Sequence, residues 1–333
     1  MTVFVLGAGA TRGASFVDEG SGGPQPPLDA DFFTQLQRIT DAKHQDTVRS
    51  VMSDVFDLFG ANFQSTLENT FTVIEHMIRM SRVIGKRKAD LERTRSTLLQ
   101  AIAASLEVTL ADGRTLRHCQ HHDWLVKVAE PGDAIISFNY DCLIDEALRT
   151  YGDNKWNARY GYSLSLPKGR GGSIGEKHWQ PDTPAKKDGT IRLLKLHGST
   201  NFHRVGEALR LKQRPYTKQR GQIHFEIIPP EWHKRFDGDV FAKLWTAAGK
   251  EIRRADSIVV VGYSFPESDQ HTSALFRLSV KEDKLRSLTV VNPDQGARRR
   301  ARDIMRAGLS RATRVLSFRT FGQFAAADSS LWR

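Results

Sequence analysis

Residues 3–15 read VFVLGAGATRGAS, a short apolar strand that runs directly into a glycine-rich turn and then into small hydroxyl residues. A nucleotide phosphate is held in this way. Gly7 and Gly9 admit backbone conformations closed to residues with a Cβ, while Ala8 and Ala10 let the main chain approach a pyrophosphate with its N–H groups pointing inward. The spacing departs from the G-x-G-x-x-G fingerprint, because Arg12 stands at the third glycine and the next glycine is Gly13. An ordinary strand-to-loop turn can carry the same letters, so the stretch decides the fold only together with the strands that follow it.

Four later segments repeat the arrangement. IISFNYDCLIDEAL (135–148) is an apolar strand ending in Asn139, Tyr140 and Asp141 before a helix, and RLLKLHGSTNF (192–202) delivers His197, Gly198 and Ser199. ADSIVVVGYSF (255–265) ends in Gly262, Tyr263 and Ser264, and SLTVVNPD (287–294) ends in Asn292, Pro293 and Asp294. In an open α/β sheet, ligands bind outside the carboxyl ends of the strands, so these clusters should converge on the GAGA turn. The fold expected is α/β: a Rossmann-like, doubly wound, mainly parallel sheet. Between the first turn and the NYD strand, residues 31–59, 66–84 and 89–108 place apolar residues at intervals of three and four, which predicts amphipathic helices. The expected organisation is a sheet-bearing domain from 1–30 and 130–333, interrupted by an α-helical insertion at 31–129 that sits as a candidate lid above the first strand.

Composition narrows the class. At 333 residues the chain is long enough to bury a substantial core. Its N-terminus has no basic region followed by a long apolar run, and no stretch reaches 18 apolar residues, so a soluble, cytoplasmic protein is expected, with no membrane association. The two cysteines, Cys119 and Cys142, cannot build a disulfide framework and fit a reducing compartment. CQHH (119–122) offers no second ligand pair at metal-binding spacing, which predicts a packed or solvated loop and no metal. The net charge of +11 attracts polyanions. Its densest patch, Arg298, Arg299, Arg300 and Arg302, has no interleaved aromatics, so it reads as a solvated helix face, and no motif supports nucleic-acid binding. The long connection 151–190, with PKGRGGSIGEK (167–177), lacks the GKS or GKT of a Walker A loop and reads as a mobile active-site loop or a partner contact.

The ordered set GAGA, NYD, LHGS, GYS and VNP, each after an apolar strand, resembles the sirtuin-like NAD-consuming proteins, and among them the bacterial branch associated with anti-phage defence, over residues 3–294. The resemblance implies an NAD+ glycohydrolase that releases nicotinamide and ADP-ribose, or a cyclised product, with Asn139 and His197 as the catalytic pair. Those residue types suit such chemistry, since an uncharged amide can hold a water or a ribose hydroxyl and an imidazole titrating near neutrality can accept a proton. Gly7, Ala8, Gly9, Ala10 and Thr11 would take the pyrophosphate, followed by Ser15. Gly262, Tyr263 and Ser264 would contact the adenosine phosphate and ribose. Asn292 and Asp294 would hold the adenine ribose, an acid there favouring NAD over NADP, although nearby Arg298 keeps NADP open.

Asp31 and Phe32 in DADFF (29–33) lie where sirtuins close a loop over NAD, with a helix cap and a buried aromatic as the other reading. Asp141 either orients a neighbour or caps the next helix, and Asp269 reads as a helix start. The paired CxxC zinc module of deacetylating sirtuins is missing, which favours NAD hydrolysis over deacylation. Family members assemble through helical surfaces or pair with a separate component, so a homo-oligomer is expected, with a partner such as a ring-forming HerA-type ATPase or a short Argonaute. Two other classes remain: a module that senses NAD or ADP-ribose, and a DNA-directed effector acting with a partner ATPase, for which no carboxylate cluster of metal-binding spacing is present.

Overall fold

The computed structural model describes residues 1–18, 20–60, 62–85, 87–113, 115–164, 174–205, 208–216, 218–219, 222–223, 225–229 and 239–333. Residues 165–173, most of the glycine–lysine stretch expected to be a loop at the site, lie outside them.

Six strands form one sheet: β1 (Thr2–Leu6), β2 (Ala134–Ser137), β3 (Arg192–Lys195), β4 (Ser257–Val261), β5 (Ser287–Val291) and β6 (Arg314–Phe318). Their order is β3-β2-β1-β4-β5-β6, and every neighbouring pair is parallel. This is the doubly wound order, in which the chain leaves β1 toward one edge and later returns to build the other half from β4. Strands β1, β2, β4 and β5 are buried along their whole length, which is why each reads in sequence as a continuous apolar run rather than an alternating one. The edge strand β6 is exposed at three of five positions and was not expected from the sequence.

Helix α1 (Ala8–Arg12) follows β1 directly. Helices α2 (Phe32–Gln37), α3 (Gln45–Phe59), α4 (Leu67–Arg79), α5 (Ser81–Ile84), α6 (Lys88–Leu110) and α7 (Gln120–Val128) then precede β2. Helices α3 and α4 pack on α6. The helix expected over 31–59 is in fact two, because Asp41 accepts the Lys43 N–H through Oδ1 (2.7 Å) and the His44 N–H through its carbonyl (3.0 Å), an Asx turn that competes with helix. The one expected over 66–84 breaks at Met80. Its start is fixed by Thr66, whose hydroxyl accepts the Asn69 N–H. Helices α8 (Leu143–Tyr151), α9 (Ala158–Gly161) and α10 (Ile174–His178) lie between β2 and β3. After β3 come three short antiparallel pairs, Gly198–Ser199 with Glu226–Ile227, Phe202–Val205 with Ala208–Leu211, and Lys218–Gln219 with Gln222–Ile223. Helix α11 (Asp239–Arg254) leads into β4, α12 (Gln270–Ser279) and α13 (Gln295–Ile304) follow β4 and β5, and α14 (Phe321–Ala325) follows β6. Among the described residues no helix is long and apolar enough to cross a membrane.

Beneath the strand tips a buried ion pair ties β3 to α8. Lys195 and Asp145 are both fully buried, with Nζ and Oδ2 2.9 Å apart. The ammonium also donates to the Asp141 carbonyl (2.5 Å), and Asp145 Oδ1 accepts from the Tyr162 hydroxyl (2.5 Å) and Asn201 Nδ2 (3.0 Å). Burial pulls the Lys195 pKa down, but Asp145, Cys142 and Asp141 together outweigh it and hold the ammonium above its usual value. Replacing one partner strands the other charge in the core. Lys195→Met is expected to cost about 3–5 kcal/mol in chemical denaturation, with part of the loss recovered when Asp145→Leu is added. A single-variant loss below about 1 kcal/mol would contradict this account of the pair.

Candidate functional site

In this strand order the chain reverses direction between β1 and β4, and a ligand crevice opens at that point. There the structure brings backbone against backbone. Gly7 N–H donates to the Val261 carbonyl (3.0 Å) and Gly9 N–H to the Gly262 carbonyl (2.9 Å). A Cβ at Gly7 would lie 2.6 Å from Tyr263 Cα, and one at Gly9 2.8 Å from Gly262 Cα. Gly262 itself has φ +63°, and its Cβ would meet Ala10 N at 2.1 Å. The torsional role expected of Gly7 does not hold. It has ordinary extended torsions (φ −119°, ψ 178°), so space, not torsion, is what demands glycine there. Gly9 N–H is already engaged by Gly262, and Ala10 N–H by the Gly7 carbonyl (2.8 Å). Ala8 at the start of α1 is exposed, and Thr11 is buried.

The neighbouring tips continue the lattice. Phe138 N–H donates to the Leu6 carbonyl (2.9 Å), Leu196 N–H to Ser137 (3.0 Å), Gly262 N–H to Val291 (2.8 Å) and Asn292 N–H to Phe318 (3.0 Å). Each polar cluster is thus presented from a fixed frame, as a preorganised site requires.

Asn139, just beyond β2, is buried. Its Nδ2 donates to the Gly7 carbonyl and to Thr11 Oγ1, both at 2.9 Å, locking the side chain to the glycine turn. Its Oδ1 has no hydrogen-bond partner among the described residues. Since buried polar atoms are nearly always paired, an acceptor held rigidly and left open is a place for a ligand donor. Thr11 donates its own hydroxyl to Asp141 Oδ2 (2.5 Å), and Asp141 Oδ1 accepts the Leu143 N–H (2.9 Å) at the start of α8. Asp141 therefore orients a neighbour and, from one residue before the N-cap Cys142, also satisfies the first N–H of α8.

His197 follows β3, and its buried ring sits in an aromatic enclosure. Phe138 lies edge-to-face at 5.0 Å, Trp245 of α11 stacks at 6.3 Å, and Tyr140 lies at 6.5 Å. The ring's Nε2 is 3.6 Å from Asp269 Oδ2. Asp269 also caps α12, accepting the Thr272 N–H (3.3 Å), and takes the Tyr263 hydroxyl (2.6 Å). The helix-start reading of Asp269 thus missed its neighbour, which stands 72 positions earlier in the chain. Tyr263 stacks on Phe138 (4.4 Å), and its hydroxyl is directed to Asp269.

DADFF is fastened to the first turn. Arg12 pairs with Asp31 and donates through Nε to the Pro26 carbonyl (2.6 Å). Asp31 also accepts the Leu28 N–H (2.8 Å) and Gln35 Nε2 (3.1 Å). The arginine that breaks the glycine fingerprint is therefore the clamp for this segment. Phe32 is buried against Phe33.

At the far side of the crevice, Asp294 caps α13 through Gly296 N–H (2.8 Å) and Ala297 N–H (3.0 Å), bonds that lower its pKa. Asn292 Oδ1 accepts the Asp294 N–H (2.9 Å). Arg298 and Arg300 do not fit the solvated face expected of them: they are half-buried, bonding the Asn292 carbonyl (2.9 Å) and the Ser264 carbonyl (3.0 Å). Arg299 and Arg302 are exposed.

Cys119 starts α7, and its Sγ accepts the Ser15 N–H (3.5 Å). Burial opposes its ionisation, but His122 overrides this and brings the thiol down to about 7. His122 is itself raised, burial being outweighed by Cys119 and Asp141. Each of the two thus favours the charged form of the other. Among the described residues no group of three His, Cys, Asp or Glu side chains is arranged to hold a metal ion.

No curated protein sequence matches this chain. A solved structure described as "Structural Basis for the Mechanism and Regulation of Sir2 Enzymes" is similar at 12% identity, over 97% of this chain and 88% of that one, with a TM-score of 0.40. The profile of the SIR2-like domain matches residues 133–309, from the start of β2 through α13, which is more than half of the chain. The chain belongs to the SIR2-like domain family.

Proposed function

We propose that this chain cleaves NAD+ at the nicotinamide–ribose bond. The observation that carries the reading is the open, buried Oδ1 of Asn139, held beside the switch point with His197 on the adjacent strand tip. In the proposed step the C–N bond breaks and nicotinamide leaves with the electron pair, so positive charge develops on the ribose ring. Asn139 Oδ1 accepts a hydrogen bond from the attacking water, and the His197 imidazole takes the water's proton as the new C–O bond forms. The products are nicotinamide, ADP-ribose and one proton. When the adenine ring attacks in place of water, the product is cyclic.

Gly7 to Thr11 are proposed to face the pyrophosphate, Gly262 to Ser264 the adenosine portion, and Asn292 with Asp294 the adenine ribose. With two cysteines in the chain, the four-cysteine zinc module of deacylating relatives cannot be assembled, which supports hydrolysis over deacylation. We take 31–129 as a separate lid and assembly unit. In support, Val73 on α4, Met80 at its end and Val83 on α5 are 38%, 49% and 81% exposed. Depletion of NAD+ in anti-phage defence, with a partner component as trigger, rests on the motif resemblance alone.

The test is incubation of the purified chain with NAD+ and chromatographic separation of nicotinamide, ADP-ribose and cyclic ADP-ribose. Nicotinamide release matched by one of the other two is expected. Saturable NAD+ binding with no nicotinamide at any protein concentration would replace the hydrolase with a sensing module.

A further inference from the structure

We propose that Asp269 is a positioning residue for His197, fixing which ring nitrogen carries the proton and stabilising the imidazolium formed when that ring accepts one. The inference rests on the NAD+-cleavage reading for its kinetic consequence, though not for its electrostatic one.

Asp269 is 3% exposed and His197 7%, so the 3.6 Å between Oδ2 and Nε2 is spanned with little water to screen it. That separation is an ion-pair contact longer than a hydrogen bond. Catalytic hydrogen bonds often close only once substrate is bound. The carboxylate cannot wander. Its Oδ2 is fixed by the Tyr263 hydroxyl (2.6 Å) and Thr272 Oγ1 (2.9 Å), and its Oδ1 caps α12. The loop that carries it is anchored a second time, since Ser268 Oγ donates to Glu68 Oε2 (2.5 Å) on α4.

The rings packed on the imidazole bring no formal charge. Phe138 and Trp245 present carbon faces, Tyr140 donates its hydroxyl to the Ile228 carbonyl (2.9 Å), and Tyr263, stacked on Phe138, directs its own to Asp269. Among the described residues, Asp269 is the carboxylate in ion-pair contact with the ring. A carboxylate facing Nε2 selects the tautomer with the proton on Nε2 and the lone pair on Nδ1. Nδ1 is then the atom that takes the proton from water. Asp269 stays ionised throughout and supplies the countercharge, the relation of an orienting acid to a general base.

Asp269→Asn keeps the shape, the cap acceptor and the Tyr263 contact while removing the charge. Imidazole resonances of the labelled full chain, with His197 assigned by its loss in His197→Gln, report the ring pKa without NAD+. The His197 pKa is expected to fall by about one pH unit in Asp269→Asn, because the nearby anion that favours the charged ring is gone. Tyr263→Phe, which frees the carboxylate of one donor, should shift it the opposite way. In NAD+ turnover, Asp269→Asn should lower kcat about tenfold to a hundredfold, less than loss of the base itself, with KM changing little and the acid limb of the pH profile moving to lower pH. An unchanged His197 pKa in either folded variant overturns the proposal. A wild-type chain inactive on NAD+ would instead overturn the functional reading and leave the pKa result to stand by itself.

Discussion

Asn139→Ala and His197→Ala are each expected to lower NAD+ cleavage by at least about a hundredfold, the loss that follows removal of a general base or of the group that aims its water. The two substitutions should differ in what else they disturb. Asn139 Nδ2 bonds the Gly7 carbonyl and Thr11 Oγ1, so its removal also loosens the glycine turn, by about 1 kcal/mol for each lost bond. KM for NAD+ should therefore rise along with the fall in kcat. The His197 ring packs instead on Phe138 and Trp245, so its loss should appear in kcat while a thermal shift with NAD+ persists. Because the residues act on one proton transfer, the double variant should be scarcely worse than either single one. Near wild-type turnover in either single variant would remove that residue from the chemistry.

What could be read in the sequence follows from where each residue sits. The four inner strands were legible because burial on both faces writes them as unbroken apolar runs. β6 was not: as an edge strand it carries RVLSF with Arg314, Val315 and Ser317 exposed, a pattern no different from loop. The break within the helix expected over 31–59 depends on Asp41 folding its own side chain onto the backbone, a local choice that periodicity does not register. At the site, the strand-tip clusters were visible because the strands were. The partners of those clusters were not, being distant in sequence: Asp269 meets His197 and Asp31 meets Arg12 only through the fold. Asp269, Asp294 and Asp141 show the signal that was available. Each precedes a helix and was readable as a cap or its neighbour, but helix capping leaves one face of a carboxylate for other work, and sequence does not say what that face meets.

Gly262→Ala should disable the site from its floor. Two penalties act together: the residue sits at φ +63°, and the new Cβ would lie 2.1 Å from Ala10 N and 2.2 Å from Gly9 C. The first is torsional and amounts to about 1–2 kcal/mol. The second cannot be relieved by a rotamer, because the atoms in the way are backbone on one side and a rigid strand tip on the other. Overpacking of this kind adds about 1–3 kcal/mol. Gly113→Ala separates the terms, since Gly113 has φ +61° with nothing within 4 Å of its Cβ. It should show the torsional loss alone in a denaturation midpoint and keep full NAD+ turnover. In Gly262→Ala the turn must retreat from β4, taking with it the Gly7 carbonyl and Thr11 that aim Asn139. A displacement near 1 Å at reacting groups is enough for about a hundredfold loss of rate, so turnover should collapse even in the fraction that remains folded. If Gly262→Ala instead matched Gly113→Ala in both stability and turnover, the close approach of the two strand tips would be dispensable. The crevice at the switch point would then not be what holds Asn139 in place.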